Sequence, residues 1–145
     1  MIIPDLNLLI YAYDKKSAFH RPAKSWWERC LSETEMVGLA WVVLLGFMRI
    51  RCSPRIFVSP LAVADAADAV EAWLERPQVQ ILHPGARHAE LVLGYLREFG
   101  IAGNLTTDTH LAALAVEYQA TLHTTDADFA RYSGLRWKNP LAKRG

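Results

Sequence analysis

"NLTTDTHLAALAVEYQATLHTTDADF", residues 104–129, carries a helix, a strand and three acids in one run. After Asp108 the segment is apolar on most sides, which predicts a buried helix. "ATLHT" then reads as a short strand, and its apolar positions Ala120 and Leu122 stop just before Asp126 and Asp128. A turn accounts for one acid at the end of a strand. Whether the others have a common purpose depends on what the rest of the chain brings to the same place.

Working outward, "MII" reads as a short buried strand with Pro4 tolerated at its end, and Asn7 to Tyr13 as the start of a helix. "HRPAKSWWERCLSE" puts Pro22 in a first turn and spaces Ala23, Trp26, Trp27, Cys30 and Leu31 helically. "MVGLA" is a weak second strand. "WVVLLGFMRIR" is too uniformly apolar to show a period, but its length favours a buried helix ending before Pro54. "SPLAVADAADAVEAWLERP" predicts a helix with Ser59 as cap, Pro60 at its first position and Pro77 as its stop. "VQIL" is a third strand, "GARHAELVLGYLREFG" a helix closed by Gly100, and "RW" near the end a short fifth strand. Strands alternating with helices predict a three-layer α/β/α fold with a mainly parallel sheet of four to five strands. No repeat or linker interrupts the chain, so one domain is expected over residues 1–145.

The bulk numbers agree. A chain of 145 residues with 52% apolar and 21% charged residues has the composition of an ordinary globular domain. No apolar run approaches the roughly 18–20 residues needed to span a bilayer. The opening "MIIPDLNLLIYAYD" lacks a basic region and meets an acid at Asp5, unlike a secretory signal. Cys30 and Cys52 are too few for a disulfide framework, which points to a cytoplasmic chain with free thiols. A net charge of +1 excludes a globally basic nucleic-acid binder but allows a local basic rim.

In a parallel sheet of this kind, ligands bind beyond the carboxyl ends of the strands, near the switch in strand order. Asp5 follows the first strand, Asp126 and Asp128 follow the fourth, and Asp108 lies in the first turn of the helix leading into it. Each has an ordinary explanation by itself. Asp5 suits a helix cap, Asp108 suits a helix dipole, and Asp126 suits the cap of a short helix. Their coincidence at one rim favours function. Two carboxylates about 4 Å apart repel by roughly 1 kcal/mol in water and about 4 at an effective dielectric of 20. A cation relieves that cost, and all-oxygen ligands with no Cys or His pattern suit Mg²⁺ or Mn²⁺.

"PDLNLLIYAYD" resembles the opening D-x-N motif of PIN-domain proteins, and "GNLTTDTHLAALAVEYQATLHTTDADF" resembles their last two acidic motifs. The likeness covers nearly the whole chain, including "LRWKNPL", and is nearest to the VapC-type toxins of type II toxin–antitoxin pairs. It implies a Mg²⁺- or Mn²⁺-dependent endoribonuclease that is a homodimer and is neutralised by a VapB-type antitoxin. It implies that Asp5, Asp108 and Asp126 are catalytic metal-binding acids, with Asp128 an auxiliary metal-binding acid. Asn7, Asn104 and Thr125 match polar positions that line or brace the same site. One position departs from the pattern: the family usually has a Glu inside "WVVLLGFMRI", three residues before Arg49, where this chain has Gly46.

Phosphodiester hydrolysis needs a hydroxide-like nucleophile and relief of charge on the phosphorane, both of which a divalent ion supplies. Arg21 and Lys24, with Lys15 and Lys16, and Arg49, with Arg51 and Arg55, form two basic clusters that are candidate RNA contacts. A solvated charged face explains either cluster as well. The five histidines show no metal-ligand spacing, although His110 lies close to Asp108. Trp26 and Leu31 are expected in a groove between the N-terminal helices that receives the antitoxin. The competing readings are a catalytically silent PIN-like binding module and a phosphotransferase of the haloacid dehalogenase type. The latter wants a second Asp where this chain has Asn7.

Overall fold

The computed structural model describes residues 1–143. Five strands alternate with six helices: β1 (Ile2–Pro4), α1 (Leu6–Ala12), α2 (His20–Ser32), β2 (Val37–Ala40), α3 (Trp41–Arg51), α4 (Val63–Leu74), β3 (Val79–Leu82), α5 (His88–Phe99), α6 (Leu105–Glu117), β4 (Thr121–His123) and β5 (Arg136–Lys138). A 3₁₀ turn over Ala127–Arg131 joins the last two strands. All neighbouring strands pair in parallel, in the order β3-β2-β1-β4-β5. The predicted α/β class and parallel sheet are therefore what the chain forms.

Strand order explains where the site lies. From β1 the chain steps outward to β2 and β3, then returns across β1 to β4 and steps the other way to β5. Right-handed crossovers in opposite directions send their helices to opposite faces. Consistent with this, α1 packs on α2 and α3, and α3 on α4, while α5 packs on α6. The direction reverses between β1 and β4, so their carboxyl ends diverge around a crevice. β1 and β2 are buried along their whole length, as strands covered on both faces must be, whereas β5 exposes Arg136 and Lys138 at the edge.

The helices mostly start and stop as expected. Gly100 closes α5 at φ 70°, a left-handed conformation that glycine adopts without a Cβ clash. The helix expected from Ser59 and Pro60 instead begins at Val63, and Ala62 precedes it without a side-chain cap. Arg51 is the reason. Its Nη1 donates to the Ser59 carbonyl at 3.1 Å, and Leu61 N donates to the Arg51 carbonyl at 3.0 Å, tying residues 59–61 to the end of α3. Arg51 Nε also donates to the Tyr13 carbonyl at 2.9 Å, and Trp73 Nε1 donates to the Tyr13 hydroxyl at 2.9 Å. Trp73 sits edge-on to Trp27 and Phe47, so aromatic packing locks α2, α3 and α4 together.

His123 ends β4, 8% exposed, and its Nδ1 accepts a 3.1 Å hydrogen bond from Trp26 Nε1. That bond requires an unprotonated nitrogen. Burial, helped by the Lys138 cation, lowers the His123 pKa to about 4. A histidine whose folded pKa is depressed contributes stability above its unfolded value near 6.5 and loses it as pH falls toward 4. Wild-type chain is expected to lose about 2 kcal/mol from this residue across that window, allowing for solvent screening. His123→Gln should flatten that limb of a pH series of denaturant midpoints, and a limb of unchanged steepness would contradict the assignment.

Candidate active site at the carboxyl edge

Asp5 follows β1 and caps α1, with Oδ1 accepting from Leu6 N at 2.7 Å. Its other oxygen, Oδ2, accepts from Thr124 Oγ1 at 2.7 Å, beyond the end of β4. Thr124 Oγ1 also accepts from Asp126 N at 3.0 Å. One fully buried hydroxyl therefore joins the first acid to the segment carrying the third. Asp126 Oδ1 accepts from Asp128 N at 2.9 Å and so caps the 3₁₀ turn. Both ordinary capping roles are real, and they coexist with convergence on one rim.

Asp108 arrives from the other side, in the first turn of α6. Thr109, beside it, is fully buried and bonds the Tyr132 hydroxyl at 2.9 Å, pinning α6 to the end of the 3₁₀ turn. Burial first, then the charges of Asp5, Asp126 and Asp128, push the Asp108 carboxyl up to about 6, with Arg131 opposing them. Asp5 is also raised, mainly by burial and further by Asp126, against the hydrogen bonds from Thr124 and Leu6. The acids thus feel one another electrostatically, with little cationic compensation from the protein.

Among the described residues, no three His, Cys, Asp or Glu side chains form a ready-made metal-ligand set. The carboxylates are near enough to shift one another but do not form a closed cage. Their chemistry nonetheless fits a hard divalent ion. Every donor is oxygen, and Asn7 adds a buried Oδ1 with no hydrogen-bond partner, an acceptor that a metal-bound water would satisfy. The amide is fixed by Nδ2, which donates to Thr125 Oγ1 at 2.9 Å.

The other sequence candidates divide. Asn7 and Thr125 are brought together by their mutual hydrogen bond. Asn104 does not, because it stands exposed before α6 without a capping bond from its side chain, while Thr106 Oγ1 and Leu105 N satisfy the preceding carbonyls. Asp128 is an outer member, largely exposed and 4.0 Å from Arg131. Arg49 lies on the exposed side of α3, and Arg21 and Lys24 on the exposed side of α2, where Lys24 pairs with Glu28 at 3.7 Å. His110 is engaged elsewhere, its Nδ1 2.9 Å from His88 Nε2. Gly46 does face the start of α1, since a Cβ there would come within 2.6 Å of Leu6 Cδ2. Any side chain at 46 must first displace Leu6, a flexible group. Thr124 and Arg131 were not anticipated. The Thr124–Thr125 pair was a visible signal for the first, and the i, i+3 spacing of Asp128 and Arg131 for the second.

The profile of the PIN domain family matches residues 2–135. Curated relatives extend the match over nearly the whole chain. Ribonuclease VapC33 of Mycobacterium tuberculosis is 45% identical over 97% of this chain and 99% of its own. Ribonuclease VapC37 of the same species is 40% identical over 98% and 99%. The fold is shared with VapBC-1 from nontypeable Haemophilus influenzae, at a TM-score of 0.69, 21% identity and coverage of 98% and 100%. VapC20 of M. tuberculosis gives a TM-score of 0.68 at 21% identity, covering 94% and 99%. A parallel sheet with acids gathered at its switch point, together with these matches, defines the class: the chain belongs to the PIN-domain family. Within that family its similarity is to VapC ribonucleases.

Crowded charge has a measurable cost. An acid whose folded pKa is raised adds stability below its unfolded value and forfeits it as pH rises through the folded value, here from about 4 to about 6 for Asp108. In metal-free buffer at pH 7.5, Asp108→Asn should raise the melting temperature. Discounted for the half-exposed carboxyl, the gain is about 1 kcal/mol, or about 3 °C. The difference should vanish below pH 4. A variant less stable than wild type at pH 7.5 would mean that Asp108 is paired rather than crowded.

Proposed function

We propose that this chain is a divalent-metal-dependent endoribonuclease toxin, neutralised by a VapB-type antitoxin. The observation that carries the reading is the approach of Asp5, Asp108 and Asp126 from three distant segments, with the Asp108 carboxyl raised by burial and then by the charges of the others. The full-length similarity to VapC ribonucleases supports it. Asp5 and Asp108 are the residues suited to hold Mg²⁺ or Mn²⁺. Asp126, with Asp128 outside it, is suited to a second ion or to orienting the attacking water. A bound ion would lower the pKa of that water and stabilise charge on the phosphate. Thr124 keeps Asp5 and Asp126 in register, and Asn7 offers its free carbonyl oxygen to a water in the crevice.

The partner reading rests on a cleft of about 790 Å³ between α2 and residues 56–61, lined by Trp27, Leu31, Ile56, Phe57, Val58 and Leu61. Val58 is 91% exposed, an apolar cost in an isolated chain that a docked apolar segment removes. Trp26 is not part of this cleft, because it is buried against His123. Lys15, Lys16 and Lys24 at the mouth suit acidic residues flanking the docked segment. A homodimer is proposed from the family likeness. One observation favours a silent binding module instead: the position usually held by Glu is Gly46, and its Cβ direction meets Leu6 rather than the crevice.

Induced expression of the chain alone should arrest growth, and the purified protein should cleave RNA with Mg²⁺ or Mn²⁺ but not with chelator. Asp108→Asn should abolish both at equal protein levels, with at least a hundredfold loss of cleavage. Toxicity and cleavage that survive this substitution would sink the nuclease reading. Leu31→Asp should leave cleavage intact yet prevent co-purification with the antitoxin encoded beside it, and normal co-purification would move the docking site elsewhere.

A further inference from the structure

We infer that Trp41 is a stacking platform for an unpaired RNA base beside the acidic crevice. The inference rests on the nuclease reading for its substrate, and on strand register for its place. β1 and β2 pair in parallel with Ile2 opposite Val37. Extending that register by three residues brings Asp5 beside Ala40 at the carboxyl ends of adjacent strands. Each immediately precedes a helix, α1 and α3. Trp41 is therefore the first helical residue on the strand next to Asp5.

Its environment is unlike that of the three core tryptophans. Trp26, Trp27 and Trp73 are at most 4% exposed and pack in aromatic pairs, whereas Trp41 is 48% exposed. Leu45, one turn along the same helix, is 62% exposed and prolongs the apolar surface. Arg49 follows at the same spacing, exposed. Such a stripe at 41, 45 and 49 cannot be explained by α3's own packing, which buries Val43, Leu44, Gly46 and Phe47. A large aromatic left in water normally meets a partner surface. Here the adjacent feature is the rim where a scissile phosphate would sit. Base–aromatic stacking is tolerant of sequence and strong enough to hold a splayed nucleotide.

The test uses full-length protein and a 12-nucleotide unstructured RNA. Binding is measured by fluorescence anisotropy in the Asp108→Asn background, and cleavage in the otherwise unsubstituted chain. Trp41→Ala should weaken binding about tenfold and raise KM similarly, with kcat within about twofold, while Trp41→Phe retains most of the affinity. Mass by light scattering should be unchanged. Equal affinity of the Trp41→Ala and parent proteins would overturn the platform. Weaker binding accompanied by a fall in oligomer mass would overturn it too, assigning this face to a second copy of the chain. If the unsubstituted chain cleaves no RNA but binding still depends on an aromatic at 41, the nuclease reading fails and the platform stands.

Discussion

A single hydroxyl couples the two halves of the crevice. Thr124 Oγ1 gives its proton to Asp5 and takes one from the Asp126 backbone, with no solvent access. Its position follows from strand pairing: Pro4 is opposite His123, so the next residue on each strand, Asp5 and Thr124, comes level. Shifting either strand by one residue would turn the threonine away from Asp5. Core packing that fixes this register therefore also fixes the distance between acids 121 residues apart in sequence.

Charge then works against stability. Asp108 and Asp5 both carry carboxyls that burial and mutual repulsion make reluctant to ionise, and Arg131 is the nearby compensating cation. A core chosen only for stability would place neutral groups there. Retention of three acids at one desolvated rim is the pattern expected where binding a cation or polarising a substrate outweighs a modest loss of folding free energy. The surrounding framework tolerates it because Thr109, Tyr132 and Phe129 anchor the acid-bearing segments by buried contacts independent of the charges.

Much of the fold was legible because its signals are local. Apolar runs, Pro22, Pro77 and Gly100 marked most elements, and the order of strands and helices implied the parallel sheet. The start of α4 was misread since the force that delays it, Arg51 bonding residues 59–61, acts across the chain and leaves no trace in the Ser59–Pro60 pair. Asp5, Asp126 and Asp128 stood out by their position after strands, and Asp108 by its place in the first turn of α6. Thr124 was not, because which of two adjacent threonines turns inward depends on register. His110 is a related case: its proximity to Asp108 in sequence does not determine that its ring meets His88 on α5.

The acids also show why capping and the proposed chemistry are poor alternatives. Asp5 uses one oxygen to cap α1 and the other to meet Thr124, so its carboxylate is oriented before any ligand arrives. Asp126 likewise caps the 3₁₀ turn through Oδ1. A carboxylate held at two points loses little further freedom when it coordinates or polarises something, and that reduces the entropic cost of assembling the site. Removing such a residue therefore mixes loss of a cap with loss of chemistry. Asp108 is different. Its helix is secured by Thr109, and its carboxyl is under repulsion rather than in service as a cap, so its replacement by Asn separates chemistry from structure more cleanly than replacement of Asp5 does.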